Sequence, residues 1–228
     1  MNLPPDEYVI VTEARELAFL SGCFEHVGVS ADHAQAMARL LTNSDLRGVR
    51  SHGISWAAGY CRKFRSGDLN TSPDIRVVHE TPTSVIVDGD GFLGYVPTMM
   101  ATQGAIAKAK EVGIGMGLVR HIGHNGAAAH YTRVCRDEGC IGFAVQGFRD
   151  SGGRPDQDQK PPATYTGLPP MSFSIPAGDE PAIVLDMVAH VVSGYNKPEF
   201  ADLPERIPAT FFKAMGLVAT ANLLGGAL

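Results

Sequence analysis

The chain has 228 residues, and 24 acidic side chains against 19 basic ones give a formal net charge of −5 with the histidines neutral. Hydrophobic residues form 44% of the chain and charged residues 19%, which is typical of a protein with a large core and excludes a disordered chain. The acidic balance and the lack of a basic run argue against a nucleic-acid partner.

The amino terminus, residues 1–7, is acidic and contains two prolines, without the basic and apolar regions of a signal peptide. The longest apolar stretch, residues 214–228, is too short to span a bilayer. The four cysteines include no CxxC pair, which favours free thiols over a zinc ribbon or a disulfide framework. We therefore expect a cytoplasmic protein that does not associate with membranes.

The first third of the chain has helical periodicity. Three helices are predicted, the first two with Thr12 and Ser30 as N-caps, and the last two ending at Gly48 and Gly67. Together they form a helical N-terminal segment, residues 1–74, whose second and third helices are joined by a polar connection.

From residue 75 onwards, short strands alternate with helices, which predicts an α/β domain over residues 75–228. Residues 147–170 are rich in Gly, Pro, Asp and Gln and are expected to form a long loop. The predicted strands are residues 75–79, 84–88, 114–120, 140–146, 171–175 and 182–187, and the predicted helices are residues 97–112, 126–138 and 211–224. A turn is predicted at residues 88–91.

The glycine cluster at residues 113–117 resembles part of a dinucleotide fingerprint. That fingerprint requires a strand before the glycines and a helix after them. Here a predicted helix precedes the glycines and a strand follows, so we interpret the cluster as a helix-to-strand turn and not as a Rossmann site.

The segment Arg50-Ser51-His52-Gly53 is the first candidate for chemistry. A histidine that titrates near neutral pH and lies in a loop suits general acid catalysis. Arg50 and Ser51 could hold a carboxylate or a carbonyl. The alternative is that His52 caps the next helix and has a structural role.

A second candidate is the segment from Arg120 to Gly126, which contains His121 and His124 at the end of a predicted strand. We expect Asn125 to cap the next helix, whose free N–H groups would attract an anion. No carboxylate lies within the segment to complete a metal-ligand set, so a substrate-facing histidine is favoured over a metal site. Asp186, at the end of an apolar strand, is either a structural acceptor or the partner of a histidine.

Together these segments resemble the malate/L-lactate dehydrogenase family of non-Rossmann NAD(P)-dependent 2-oxoacid and imine reductases. The resemblance rests on an ordered series of motifs across almost the whole chain. These are Asp45-Leu46-Arg47-Gly48, Ser51-His52-Gly53, Tyr60, Val87-Asp88-Gly89-Asp90-Gly91, Gly94, His124, Tyr131, Glu138-Gly139-Cys140-Ile141-Gly142, Ser172-Phe173-Ser174-Ile175-Pro176, Ile183–Met187 and Lys213-Ala214-Met215-Gly216-Leu217.

The resemblance implies an uncommon α/β fold that works as a homodimer with NADH or NADPH bound near the subunit interface. It implies that His52 is the proton donor and that His124 lies in the substrate pocket. From their own chemistry, Arg50 and Ser51 are expected to bind the substrate as well. A hydride would pass from nicotinamide to a C=O or C=N carbon. We further hypothesise that Asp186 helps to set the charge of His52. The segments implied to touch the cofactor comprise Ile183, Val184, Leu185, Asp186, Met187, Val188 and Lys213.

Three departures from the family pattern bear on the substrate. Trp56 stands where the family usually has an arginine that binds the substrate carboxylate, and Gly167-Leu168-Pro169-Pro170 replaces a Gly-Thr-Asn-Pro segment. The α/β domain is also expected to be truncated at its C-terminus, because the family continues beyond the position of Leu228. Because Trp56 removes the arginine anchor for the carboxylate and adds apolar area, a bulkier or less anionic substrate than a small 2-oxoacid is favoured. The alternative is a non-redox acid–base enzyme, or an inactive subunit, on the same scaffold.

Overall fold

The computed structural model describes residues 6–147, 169–190 and 200–227, and the chain divides into two compact units between Tyr131 and Thr132. Helices and small sheets alternate, which confirms the predicted α/β class. The division predicted at residue 74 stays a prediction. Of the predicted loop, residues 148–168 lie outside the described residues.

The helices of the first unit begin and end where their capping residues predict. The hydroxyls of Thr12 and Ser30 each accept a backbone N–H, from Arg15 and His33, and Gly67 ends the third helix in the left-handed conformation (φ +80°). Glycine adopts this conformation without strain. The helices are α1 (Glu13–His26), α2 (Ala31–Leu46), α3 (Ala57–Ser66) and α4 (Tyr95–Val112), and α5 (Ala129–Asp137) begins at the end of this unit.

The core of the first unit lies between α1, α2 and α3. Apolar side chains recur at helical spacing and are almost wholly buried, among them Leu20, Phe24, Met37, Leu41 and Phe64. Each such side chain contributes about 1.5–3 kcal/mol on burial. This core fixes the two ends of the polar connection between α2 and α3.

The first unit also contains a three-stranded sheet of β1 (Arg76–Glu80), β2 (Ser84–Phe92) and β3 (Met116–Ile122), with β2 in the centre. Strands β2 and β3 are parallel and are joined by α4. The glycine cluster forms the turn from α4 into β3, and a Cβ on Gly115 would overlap the Ala105 carbonyl oxygen. These glycines allow close packing of a strand on a helix, as predicted.

The turn predicted at residues 88–91 is wrong in one respect, because β2 continues through it to Phe92. The strand continues with a shift in register after Asp88, where Asp90 and Gly91 adopt positive φ angles. Asp88 Oδ1 accepts the backbone N–H of Asp90, which supports this local bulge.

The second unit contains an antiparallel sheet of β4 (Gly142–Val145), β5 (Pro170–Ile175) and β6 (Ile183–Val188). The Thr132 hydroxyl on α5 contacts the buried hydroxyls of Ser172 and Ser174 at 2.8 and 2.9 Å. Helices α6 (Leu203–Arg206) and α7 (Pro208–Asn222) follow. Among the described helices, none combines the length and apolarity that a membrane span requires.

Candidate active site

The connection between α2 and α3 consists of two short 3-10 turns, Arg50–His52 and Ile54–Trp56. The Asp45 carboxylate at the end of α2 accepts the backbone N–H of Ile54 at 2.5 Å. A Cβ on Gly53 would lie 2.0 Å from the same carboxylate. Only glycine allows this close approach, which fixes the loop that carries His52.

Glu16 on α1 packs beside this carboxylate. Burial, together with the neighbouring Asp45 carboxyl, raises the pKa of Glu16 from 4.5 to about 7. Its Oε1 atom is buried, and no group in the described parts of the chain forms a hydrogen bond with it. The Glu16 carboxyl is therefore neutral below neutral pH.

The two predicted histidines lie together. The rings of His52 and His124 stack with their centroids 5.7 Å apart and their planes 27° apart. Ser51 Oγ contacts His52 Nδ1 at 2.9 Å, and the His52 ring is half-buried. Two motifs that are 72 positions apart in the sequence thus form one cluster of polar rings, with His52 following α2 and His124 following β3.

His124 is held by tyrosines. The Tyr60 hydroxyl lies 2.5 Å from His124 Nδ1 and 3.2 Å from the Tyr95 hydroxyl. Burial, with a smaller contribution from the His52 and Lys63 charges, lowers the pKa of His124 from 6.5 to about 4. The imidazole is therefore neutral at physiological pH.

The predicted helix cap at Asn125 is wrong, because α5 begins only at Ala129. The Asn125 carbonyl accepts the Tyr131 hydroxyl at 2.5 Å, and Gly126 has φ +77° because its backbone passes against the Tyr95 ring. His124 therefore lies in a non-helical segment, and the predicted anion site at an adjacent helix N-terminus is not formed there.

Trp56 covers one side of this cluster. Its indole stacks on His124 at 5.1 Å and on Tyr60 at 5.5 Å between centroids, and its Nε1–H donates to the Ser51 carbonyl at 2.5 Å. The indole is 40% exposed. An apolar ring therefore stands beside the histidines, at the position noted for its departure from the family pattern.

Arg50 supplies positive charge on the same loop. Its guanidinium carbon lies 5.9 Å from the centroid of the Tyr8 ring, and its Nη1 atom is buried with no hydrogen-bond partner among residues 6–147, 169–190 and 200–227. A buried guanidinium N–H without an acceptor can donate a hydrogen bond to a carboxylate oxygen.

His121 does not join the cluster. It adopts a left-handed conformation (φ +50°), and its Nδ1 lies 3.1 Å from the Asp88 carboxylate, which also accepts Arg120 Nε–H at 2.9 Å. Of the two histidines in this motif, only His124 contacts the rings around His52.

The predicted cofactor segments lie in the second unit. Asp186 is exposed on β6, opposite Ser172 of β5, so its suggested pairing with His52 of the first unit stays a prediction. Met187 and Lys213 come together at a cavity of about 250 Å³. The other residues lining this cavity are His190, Thr210, Ala214 and Leu217.

The remaining segment residues on β6 differ in exposure. Ile183, Leu185 and Val188 are exposed, and Val184 is half-buried.

Within the described residues, no group of three or more His, Cys, Asp or Glu side chains could hold a metal ion.

Sequence reasoning named Tyr60 in the motif series but gave it no role, and it missed Tyr95. Tyr60 recurs at helical spacing with Ala57 and Phe64, which is typical of a core position, and it is indeed only 1% exposed. Its hydroxyl nevertheless contacts His124. Besides the motif series, the signal for its role was the polar tip of a buried aromatic residue, since such hydroxyls usually find a partner.

Comparison with known proteins gives consistent results. The family model described as malate/L-lactate dehydrogenase matches residues 11–220, which include parts of both units. The chain is 33% identical over 187 residues to the malate dehydrogenase of Pyrococcus horikoshii, covering 82% of this chain and 51% of that protein. It is 32% identical over 137 residues to the L-sulfolactate dehydrogenase of Methanocaldococcus jannaschii, covering 60% and 40%. The chain thus spans about half the length of the curated relatives it matches.

The fold is similar to a solved structure of malate dehydrogenase from Pyrococcus horikoshii OT3. The TM-score is 0.80 and the sequence identity 26%, and the similarity covers 98% of this chain and 69% of that one.

Proposed function

The chain belongs to the malate/L-lactate dehydrogenase family, as its motifs predicted, and we propose that it is an NAD(P)H-dependent oxidoreductase. It would reduce a C=O or C=N group of a 2-oxoacid-like substrate to the 2-hydroxy or amino acid. Relatives named malate dehydrogenase and L-sulfolactate dehydrogenase support this substrate class. The observation that carries the proposal is the stacked pair His52 and His124. The loop with His52 also carries Arg50, whose buried Nη1 has no hydrogen-bond partner in the described parts of the chain.

In this proposal His52 donates the proton. Its Nδ1 contacts Ser51 Oγ, which orients the ring that would protonate the oxygen or nitrogen of the reacting double bond. Arg50 binds the substrate carboxylate through Nη1, and the exposed Ser51 hydroxyl offers a second contact. His124 contributes a neutral polar group to the same candidate site.

Trp56 favours a substrate with a bulky or uncharged side chain. Its indole presents apolar area beside His124 and offers no positive charge to a second anionic group. Small dicarboxylic 2-oxoacids are therefore expected to be poorer substrates than 2-oxoacids with apolar side chains.

The cavity in the second unit fits part of a nicotinamide cofactor. Apolar walls from Met187, Ala214 and Leu217 suit a flat ring, and the ammonium of Lys213 suits a phosphate. Its volume of about 250 Å³ holds one such group rather than a whole dinucleotide. When bound, the reduced cofactor supplies the hydride. A homodimer located in the cytoplasm is part of the same proposal.

Titration with NADH and NADPH tests this proposal. A ligand that binds only the folded protein raises the melting temperature as its concentration increases. We expect such a rise with at least one of the two cofactors. No rise with either cofactor at millimolar concentration would contradict the proposal.

The second candidate is a non-redox acid–base enzyme, or an inactive subunit. The observation that favours it is Trp56, whose indole occupies one face of His124. This candidate predicts no cofactor-induced rise in melting temperature, or a rise without any turnover of reduced cofactor.

A further inference from the structure

A chain of buried hydroxyls ends on His124. Tyr95 on α4 is fully buried, Tyr60 on α3 is 1% exposed, and their hydroxyls lie 3.2 Å apart. We propose that Tyr60 and Tyr95 are positioning residues that fix His124 as the Nε2–H tautomer, and thereby make it a neutral hydrogen-bond donor to the substrate.

The number of available protons determines in which direction the hydrogen bonds of this series of hydroxyls run. Each tyrosine hydroxyl has one proton to donate, and a buried proton without an acceptor costs the full desolvation of that group. Among the described residues, the Tyr95 hydroxyl has one hydrogen-bond partner, the hydroxyl of Tyr60. Tyr95 must therefore donate to Tyr60, and Tyr60 donates to His124 Nδ1.

The opposite direction would leave a proton without an acceptor. If His124 Nδ1–H donated to Tyr60, three protons would share two hydrogen bonds, so the proton of either Tyr60 or Tyr95 would have no acceptor in the described part of the chain. Both tyrosines are almost wholly buried, so water would not satisfy that proton. The proton of the neutral His124 ring therefore lies on Nε2.

The protonation states agree with this direction. Burial raises the pKa of Tyr60 to about 12 and that of Tyr95 well above its usual value, so both hydroxyls keep their protons. Burial lowers the pKa of His124 to about 4, so its ring stays neutral and Nδ1 can accept.

The surrounding rings hold the plane of the imidazole. Trp56 and His52 both stack on His124, with interplanar angles of 26° and 27°. Stacking and the hydrogen bond at Nδ1 hold the ring, so its Nε2–H has a fixed direction before substrate arrives. Substrate binding then costs little side-chain entropy.

The two histidines then have different roles. His52 transfers a proton, whereas His124 donates a hydrogen bond and keeps its proton. Its acceptor would be an oxygen of the substrate, either the carbonyl or the carboxylate. This last role rests on the proposed function, but the tautomer of His124 does not.

The tautomer can be measured directly in the wild-type protein. Long-range ¹H–¹⁵N correlation spectra of ¹⁵N-histidine-labelled protein distinguish a nitrogen that bears a proton from one that accepts. The His124 signals are those that disappear in His124→Gln. We expect a protonated Nε2 and an accepting Nδ1 at neutral pH. A proton on Nδ1, or a charged ring at neutral pH, would overturn the proposal.

Variants test which hydroxyls are responsible. In Tyr60→Phe the His124 signals should shift toward a mixture of the two tautomers, and Tyr95→Phe should cause a smaller shift in the same direction. Tyr131→Phe is the matched control: it removes a hydroxyl that bonds to the Asn125 carbonyl but does not contact the His124 ring. An unchanged tautomer in Tyr60→Phe, or an equal shift in Tyr131→Phe, would contradict the proposal.

Kinetics address the role toward the substrate. Loss of one hydrogen bond should lower kcat/KM of Tyr60→Phe by about tenfold. Cofactor affinity should stay unchanged. If the wild-type protein shows the Nε2–H tautomer but no turnover with any 2-oxoacid, the proposed function fails while the tyrosine–histidine chain stands.

Discussion

The indole of Trp56 lies against the imidazole of His124, with ring centroids 5.1 Å apart and planes 26° apart. The same indole donates its N–H to the Ser51 carbonyl. One side chain therefore links the loop that carries His52 to the segment that carries His124, and it presents an apolar surface beside the two histidines.

Trp56 is predicted to control substrate choice. Trp56→Ala should lower kcat/KM for an aromatic 2-oxoacid by about tenfold, because it removes the apolar surface for the side chain, and should affect a 2-oxo dicarboxylate less. Trp56→Phe keeps the stacking but loses the N–H donor, so it should retain most of the preference. Equal losses for both substrates in Trp56→Ala would contradict this role. Measurement requires only initial rates with the two substrates.

The close approach of Asp45 to Gly53 is predicted to be required for stability of the loop. In Gly53→Ala the new methyl group would overlap the carboxylate and break its bond to the Ile54 N–H. Loss of a hydrogen bond to a charged group costs about 1.5–3 kcal/mol, which urea denaturation can measure.

Gly59→Ala is the matched control for this change. Gly59 lies within α3, and its nearest neighbour would be 4.0 Å from the added Cβ. Alanine should therefore stabilise the helix by about 0.5–1 kcal/mol. If Gly53→Ala were equally well tolerated, the carboxylate would not hold the loop as described.

Glu16 is predicted to make stability depend on pH. Its pKa is raised to about 7 in the folded protein against 4.5 as the ordinary value, so the folded state binds more protons between these values. Its contribution to stability is fully present below pH 4.5 and is lost as the pH rises through 7. Glu16→Gln does not titrate and should flatten that decline in urea unfolding measured across this range.

The exposed Glu13 on the same helix provides the control. Glu13→Gln removes one negative charge from α1 but no buried carboxyl, so the slope of stability against pH should match the wild type. The same slope in Glu16→Gln as in the wild type would show that Glu16 does not carry the effect.

Two residues of the second unit are predicted to affect different steps. Lys213→Ala should weaken cofactor binding by about tenfold, because it removes the positively charged residue that lines the cavity. Asp186→Asn should reduce turnover without loss of cofactor affinity, if Asp186 helps to set the charge of His52. Fluorescence titration and steady-state rates separate the two quantities. Unchanged turnover in Asp186→Asn would exclude its role.

The local structure was largely predictable from the sequence, because caps and glycines act over a few residues. Thr12 and Ser30 cap the starts of their helices and Gly67 ends its helix, as their chemistry requires. Asn125 does not cap a helix: its carbonyl accepts the Tyr131 hydroxyl, and the next residue, Gly126, passes against the ring of Tyr95, which is distant in the sequence. A contact such as that with Tyr95 has no signature in the local sequence.

The candidate site was predictable in part. The motif series placed His52 and His124 in one pocket, and the structure brings their rings together. Tyr60 was hidden by its core-like spacing, and the stacking of Trp56 on His124 depends on two elements separated by more than sixty residues. Side-chain orientation in three dimensions, not residue type, determines both contacts.

The most direct test of the central claim is the oxidation of NADH or NADPH by the purified protein, followed through the absorbance of the reduced cofactor. We expect a decay that requires both protein and a 2-oxoacid. We also expect a rate about 100-fold lower in His52→Gln, with the cofactor-induced rise in melting temperature retained. A wild-type protein that binds cofactor yet oxidises none, or a His52→Gln variant as fast as the wild type, would contradict it.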